Sequence, residues 1–396
     1  MKKILVVLLF VCFGLTNVLA VEDELNPLIT AMPSLTISPD GRASGLGDIG
    51  VATSTDQNSQ HWNAAKYAFI NSKGGVSVNY SPWLRKLVKD INLAYIAGYY
   101  KFDDLQAISA SFTYFSLGEV NLTDYSGQDL GHSKPNEFAF DVAYSRKLHD
   151  FISMSATLRF MYSDLNNGSN LSTSDASTEM KAAWTMAADI GFYYRQPLEI
   201  KSGTSLLSVG LTLNNLGGKM SYDDITKQFI PASIRLGLGY KIPFNRYNSL
   251  GVYADVGKLM VPSRNSKYAK DDDGNELTGQ ELNEWYSALS SVKGIFYSFA
   301  DAPGGFKEEM QELQPGIGLE YSYNQQFFGR LGYSYENYYK GNRNYFTLGA
   351  GFHLSIFSLD VSYCIATVST NPLDQTLRFT LGFDVAGIKD LVSNKR

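Results

Sequence analysis

Apolar and polar residues alternate along much of this chain, most clearly at residues 152–162, 357–365 and 377–383. In each of these stretches nearly every second residue is apolar, and the residues between are mostly Ser, Thr, Gly or charged. A period of two is typical of β-strands that have one apolar and one polar face. About fourteen such segments predict an all-β fold. They start near Gly75, Asn92, Gln106, Phe138, Phe151, Ala183, Ser205, Ser233, Leu250, Pro315, Gln326, Tyr345, Ile356 and Thr376.

The polar faces of the predicted strands carry charged side chains of both signs near mid-strand. A surface in contact with bulk water would more often show Lys and Glu, whereas the crowded interior of a barrel favours small residues with paired Asp and Arg. We therefore predict a transmembrane outer-membrane β-barrel of about fourteen antiparallel strands, with apolar faces on outer-membrane lipid and a polar network in the lumen. The predicted network consists of Asp141, Arg159, Asp189, Arg235, Asp255, Glu320, Arg330, Asp360 and Arg378.

Tyrosines near the segment ends, including Tyr80, Tyr99, Tyr100 and Tyr321, favour the same interpretation because aromatic girdles mark the two membrane interfaces. Beyond residue 20 no apolar run approaches the ~18 residues of a spanning helix, which argues against a helical membrane protein. The Lys and Arg residues are scattered and the net charge is −5, so no nucleic-acid partner is expected. The alternative is a secreted β-sandwich, in which the apolar faces would point inward.

The N-terminus has the features of a secretory signal peptide, because Lys2 and Lys3 precede an apolar run and Val18-Leu19-Ala20 offers a cleavage site. Removal of the signal peptide takes Cys12 with it and leaves Cys364 as the one remaining cysteine, which excludes an intrachain disulfide. The predicted parts are a signal peptide at 1–20, an N-terminal hatch or plug segment at 21–73, a barrel at 74–384 with a long extracellular loop at 258–313, and a periplasmic tail at 385–396.

Short and long connections alternate between the predicted strands. In bacterial outer-membrane barrels the short turns are periplasmic and the long loops extracellular, which predicts that both termini lie in the periplasm. The connection at 195–203 is longer than expected for a short turn. A lumen of fourteen strands is wider than wall side chains fill, so a plug or a ligand is expected. The long connections are 117–135, 163–180, 215–230 and 258–313.

Glycines are concentrated before the first predicted strand. Gly45-x-Gly47-x-x-Gly50 formally matches a dinucleotide-binding fingerprint, but the strand, helix and βαβ unit that this fingerprint requires are missing. A tight Gly-rich turn that lets backbone pack closely is the simpler interpretation.

Residues 37–69 resemble the N-terminal segment of FadL-like barrels, in which a Gly-rich stretch ending in an Asn-Pro-Ala-like motif folds into the lumen as a hatch. They are more closely similar to the PorV (LptO) family of the Bacteroidota type IX secretion system, whose pattern is close to ISPDARAGGMGDVGVATSPDxNSQHWNPAKYAF. The resemblance extends to LNNLGGKMSY at 213–222, LRFTLGFD at 377–384 and the GIKDL tail. Ala64 replaces the family's usual Pro. The hatch signature consists of Gly45, Gly47, Asp48, Gly50, Trp62 and Asn63.

This resemblance implies a secretion component that is not an enzyme and has no cofactor. Its implied role is to bind exported proteins through their C-terminal signal domain at the translocon (SprA or Sov) and to deliver them to the surface sortase and attachment complex that contains PorU. One alternative is a FadL-like transporter of hydrophobic small molecules. A second is a lipid A-modifying protein, for which His353 is predicted to face the lumen near Asp360 or Arg378.

The predicted loop at 258–313 is unusually aromatic. Thr278 and Glu281 form a predicted capping box, an apolar helical face runs from Leu282 to Val292, and Gly294 is predicted to end the helix. These side chains either pack on the mouth of the barrel or bind a partner protein. The candidate partner-binding residues are Leu282, Trp285, Tyr286, Leu289, Phe296, Tyr297, Phe299 and Phe306.

No dedicated metal site is predicted. Asp271-x-Asp273-x-Asn275 resembles the start of a calcium loop, but Glu276 stands where an EF-hand needs Gly and Leu282 where it needs a bidentate Glu. A weak calcium site and a solvated acidic loop are the two alternatives. No paired spacing of His or Cys indicates another metal site.

Overall fold

The computed structural model describes residues 25–85, 88, 90–123, 129–167, 181–223, 226–354, 356–367, 371 and 373–384. The predicted signal peptide and C-terminal tail lie outside these ranges. No helix within them is long and apolar enough to cross a membrane.

Strands dominate the described chain. They are β1 (Gly74–Pro82), β2 (Ile91–Lys101), β3 (Gln106–Leu117), β4 (Val120–Thr123), β5 (Asp129–Ser133), β6 (Asn136–His149), β7 (Ile152–Asp164), β8 (Ala183–Ile200), β9 (Gly203–Gly217), β10 (Met220–Ser221), β11 (Lys227–Gln228), β12 (Ser233–Pro243), β13 (Asn248–Leu259), β14 (Gln314–Tyr323), β15 (Phe327–Ser334), β16 (Tyr345–His353), β17 (Phe357–Ala366) and β18 (Leu377–Asp384). The helices are α1 (Gly41–Ser44), α2 (Ser59–Trp62), α3 (Gly279–Ala288), α4 (Ser291–Tyr297) and α5 (Phe306–Gln311), with 3-10 turns η1 (Pro33–Thr36), η2 (Ala64–Phe69) and η3 (Tyr338–Lys340).

Fourteen of these strands form one closed antiparallel barrel, while β4–β5 and β10–β11 form small ladders in two loops. β1 pairs with β18 from Gly75↔Asp384 to Tyr80↔Phe379, so the sheet has no free edge. Closure satisfies the backbone hydrogen bonds that lipid cannot. The predicted all-β barrel is therefore confirmed, and every predicted strand start lies within two residues of the observed one.

The two faces of the barrel have opposite polarity. On β6 and β7 the outward Phe140 and Leu158 are 48% and 66% exposed, while their neighbours Asp141 and Arg159 are buried. This arrangement excludes the β-sandwich, which would bury the apolar faces. Tyr99 departs from the predicted girdle because its ring faces the lumen and stacks on Tyr67, with ring centroids 4.9 Å apart.

The turn predicted to be long between β8 and β9 is short. β8 continues to Ile200 and β9 begins at Gly203, and these two residues are paired in register. Gly203 has φ +132, which a side chain would disfavour. The adjacent Thr204 hydroxyl donates to Glu199 at 2.9 Å, and the backbone pairing of the two strands continues beyond the predicted boundary.

The chain that precedes β1 crosses the barrel from one mouth to the other. The Asn26 amide donates to the Tyr339 carbonyl at the long-loop mouth, whereas β1 begins with Gly74 at the short-turn mouth. The last described residue, Asp384, also lies at the short-turn mouth, where its amide donates to Ile356. The two ends of the described chain therefore lie at opposite mouths, while the predicted periplasmic termini lie outside the described residues and stay a prediction.

The long loop contains two consecutive helices where one was predicted. α3 ends at Ala288 because Leu289 turns into a buried cluster, and the Ser290 hydroxyl then caps α4 by accepting from the Lys293 amide. Gly294 lies inside α4, so the predicted stop is wrong. Thr278 is the N-cap residue of α3, but its side chain makes no cap hydrogen bond, so the predicted capping box does not form.

Candidate functional site

The N-terminal segment, defined here as residues 31–73, is buried inside the barrel. Asp40 joins two parts of it: one carboxylate oxygen accepts from the Ala43 amide at 2.8 Å and the other from Trp62 Nε1 at 2.7 Å. Asn63 donates to the carbonyls of Val51 and Phe192, which links the segment to β8. Side-chain hydrogen bonds thus fix the local fold of the N-terminal segment, and Asn63 also attaches the segment to the barrel wall.

Three glycines of the hatch signature lie where the segment approaches other parts of the molecule. A Cβ at Gly45 would lie 2.9 Å from the Gly349 Cα, and Gly47, with φ +83, lies against the backbone of Tyr333. At Gly50 a Cβ would overlap the Trp62 ring. Close packing accounts for this pattern, and no βαβ unit of a nucleotide-binding fold occurs among the described elements.

A chain of ion pairs connects the segment to the wall. Arg42 donates from Nε and Nη2 to the two carboxylate oxygens of Glu320, both at 3.0 Å. Arg330 binds the same carboxylate at 2.8 Å and Asp360 at 2.6 Å. Arg42 was not among the predicted site residues, although it is the only arginine between residues 21 and 73.

The other predicted network residues lie in separate places. Arg159 pairs with Asp141 at 2.7 Å and with Asp189 at 3.0 Å across neighbouring strands. Arg378 lies 3.5 Å from Asp48, whose second oxygen accepts from the Tyr345 hydroxyl at 2.5 Å.

Asp255 and Arg235 do not pair with each other. One oxygen of Asp255 accepts from the amides of Gly50 and Val51, at 2.8 and 2.9 Å. Arg235 has no hydrogen bond or ion pair within the described part of the chain, and its guanidinium lies 5.6 Å from the Trp62 ring centre. Among the described residues, Arg235 is therefore the cation of the predicted network that has no ion-pair partner.

The candidate partner-binding residues of the long loop divide into two groups. Leu289 is buried with Phe229 and Val261, and this cluster also contains the partly buried Trp285, Tyr286 and Tyr297. Leu282 is partly exposed. The remaining candidates are exposed, together with two further apolar residues that the sequence did not single out as binding residues. We call this set the outer-loop surface: Val292, Phe296, Phe299, Phe306 and Met310.

Ion pairs attach α5 to the barrel. Lys258 of β13 contacts Glu309 at 3.0 Å and also Glu312, while Lys340 contacts Glu312 at 3.0 Å. Asp301 lies nearby and accepts from the Ser263 amide at 2.8 Å. Burial, together with the charges of Glu309 and Glu312, raises the pKa of Asp301 to about 7. Helix α5 of the long loop is therefore attached to the barrel by buried ion pairs.

His353 lies as its strand parity predicts, with Nε2 at 3.0 and 3.1 Å from the two oxygens of Asp360. Asp360 also binds Arg330, and no serine hydroxyl of the described chain hydrogen-bonds to His353. At 271–275 the Asp271 carboxylate accepts from Asp273 and Asn275 of its own turn. No cluster of three or more metal-ligating side chains occurs among the described residues.

Known structures share this architecture at low sequence identity. The TodX deltaS2S3 mutant, a monoaromatic hydrocarbon channel, aligns with a TM-score of 0.51 and 13% identity over 87% of this chain and 98% of that chain. The Ralstonia pickettii toluene transporter TbuX gives 0.49 and 11% over 87% and 97%. A Pseudomonas aeruginosa FadL homologue gives 0.43 and 13% over 91% and 99%. At 13% identity the similarity to the TodX mutant shows a shared barrel fold alone.

Residues 20–266 match the family described as Type IX secretion system protein PorV. The chain belongs to the PorV family. Membership identifies it as an outer-membrane β-barrel and a component of the type IX secretion system, as the resemblance implied. No curated protein sequence matches the chain. The PorV match covers the N-terminal segment and β1 to β13 and ends before helices α3 to α5, so the role of these helices has to be argued from their own contacts.

Proposed function

We propose that this barrel binds exported proteins through their C-terminal signal domain and passes them from the translocon to the surface attachment complex. The long-loop mouth faces the cell exterior in this proposal, because long loops are extracellular in outer-membrane barrels. Membership of the PorV family supports the secretion role. Binding takes place on the loops, while the strands position them and the N-terminal segment closes the lumen.

One observation carries the proposal: apolar side chains of the long loop are exposed although its base is well packed. Phe296 is 73% exposed and Phe306 is 80% exposed. Val292, Phe296 and Phe299 follow one face from α4 onward, and Phe306 and Met310 follow one face of α5. Exposed aromatic side chains on a fixed support are typical anchors of protein interfaces.

The test replaces Phe296 and Phe306 with Ala and measures capture of a purified C-terminal signal domain from an exported protein. We expect binding to weaken by up to about a thousandfold, because truncation of each aromatic anchor costs about 2 kcal/mol. Phe102→Ala is the matched control, since Phe102 is 56% exposed in a short turn at the opposite mouth. Unchanged capture by the double variant would contradict the proposed docking surface.

The contents of the lumen do not favour a channel for hydrophobic molecules. Inward residues of the wall such as Ser77, Asp141 and Glu320 are polar and buried, and the N-terminal segment occupies the space between them. A lipid A-modifying activity has only the His353–Asp360 contact in its favour, and Arg330 shares that carboxylate. We therefore propose the secretion role alone.

A further inference from the structure

A second region of the long-loop mouth has a composition that the secretion role does not explain. A cavity of about 410 Å³ lies between residues 27–36 of the N-terminal chain and the inner wall near β9, β12 and β13. Apolar residues, among them Leu28 and Leu35, line one side of it. Its charged lining is entirely basic in the described chain, without Asp or Glu: Arg159, Arg235, Lys258, Lys340 and Arg343.

Four of these five cations have carboxylate partners that do not line the cavity. Arg159 pairs with aspartates of the wall, and Lys258 and Lys340 pair with glutamates of α5 and the residue after it. Arg343 forms a two-point contact with Glu336, at 2.8 and 2.7 Å. The carboxylates that pair with these cations thus do not line the cavity, and the charged side chains that do line it are positive.

Arg235 differs from the other four because its guanidinium has no hydrogen-bond or ion-pair partner in the described residues. Its side chain extends past Gly257, the residue opposite it on β13, where a Cβ would lie 3.3 Å from the Arg235 Cγ. On the neighbouring strand, Asp255 Oδ2 accepts from two backbone amides of the N-terminal segment, and Asp255 Oδ1 is buried and makes no hydrogen bond to Arg235. The five N–H donors of the Arg235 guanidinium thus have no hydrogen-bond acceptor among the described residues.

We propose that this cavity binds a small molecule through a carboxylate or phosphate oxyanion, with Arg235 as the principal ligand. The planar guanidinium matches the two oxygens of such a group. Ser233 lines the same cavity two residues before Arg235, on the same face of β12, and adds a hydroxyl donor. A neutral hydrocarbon would leave the fork of Arg235 without an acceptor. This proposal does not depend on binding of exported proteins by the loop helices.

The test uses the full-length protein in detergent and titrates three probes by calorimetry: inorganic phosphate, hexanoate and toluene. We expect phosphate or hexanoate to bind, and the affinity to fall about ten- to hundredfold in Arg235→Gln, because a charge-assisted hydrogen-bond pair is lost. The matched control is Lys241→Gln, a cation of the same strand that does not line the cavity. Whether phosphate or hexanoate binds more tightly distinguishes the two anion classes.

Equal anion affinity in the wild type and Arg235→Gln would overturn the proposal, as would no anion binding, or toluene binding that competes with the anions. If Arg235→Gln does not fold, as judged by loss of the heat-dependent gel shift, Arg235→Lys replaces it. The lysine keeps the charge but loses the fork, so we expect binding weaker than wild type that still falls with added salt. Full affinity in Arg235→Lys would contradict a role for the fork.

Discussion

At the scale of single residues, buried charges hold parts of the chain together that are far apart in sequence. The Arg42–Glu320 pair joins the N-terminal segment to β14 with two hydrogen bonds of 3.0 Å. Removing one partner of a buried pair typically costs about 3–5 kcal/mol because the other charge is left without compensation. The stability of the barrel therefore depends on the N-terminal segment staying in its place.

Asp301 gives the long loop a predicted pH dependence. Its folded pKa of about 7 lies above the ordinary value of 3.8, so the unfolded loop releases this proton more easily than the folded loop. The stabilising contribution is therefore complete below about pH 4 and is lost as the pH rises towards about 7. We expect limited proteolysis of the loop in detergent to become faster over this range.

Asp301→Asn tests the cause of this effect. Asparagine cannot ionise, and its amide oxygen can still accept from the Ser263 amide. We expect the variant to lose most of the pH dependence and to resist protease better than the wild type above about pH 7. An unchanged proteolysis profile would show that another group governs the loop.

At the scale of elements, glycines on the inner wall allow the N-terminal segment to approach the strands at backbone distance. A Cβ at Gly332 of β15 would lie 2.1 Å from the Gly47 nitrogen, and a Cβ at Gly210 of β9 would lie 2.3 Å from the Val51 oxygen. Both neighbours are backbone atoms, so a side-chain rotation cannot relieve the overlap. The wall and the segment are therefore complementary in shape.

Gly332→Val is expected to displace the N-terminal segment while the strands still form. Arg42 and Lys66 are buried in the native protein, and displacement would expose both to trypsin. The matched control is Gly329→Val on the same strand, because a Cβ at Gly329 would meet nothing within 4 Å. Equal resistance of both variants to cleavage at Arg42 and Lys66 would show that the segment tolerates the overlap.

At the scale of the whole molecule, the sheet is closed, its outer face is apolar and its interior is polar. Outward residues such as Leu158, Trp184 and Phe346 are more than half exposed and belong in lipid, while ion pairs and the N-terminal segment fill the interior. A closed barrel satisfies its backbone in lipid and opens only as a unit.

This closure predicts a slow, cooperative opening in detergent. An unheated sample should migrate faster on a denaturing gel than a boiled one, because the intact barrel stays compact. A reductant should make no difference, since Cys364 is the only cysteine in the described chain and is unpaired. Identical migration of heated and unheated samples would contradict the closed barrel.

The alternation of side chains by itself determined the strand number, their starts and the face that meets lipid. This worked because the alternation of apolar and polar residues is a local property of each strand. In a membrane the apolar face of every strand points outward to lipid, whereas in a soluble protein it would point inward. The partners of Arg42 and the isolation of Arg235 were decided only by the tertiary structure. They depend on which inward side chains the closed barrel brings opposite the N-terminal segment. The loop helices were placed by helical spacing, but their break at Leu289 depended on a distant partner, Phe229.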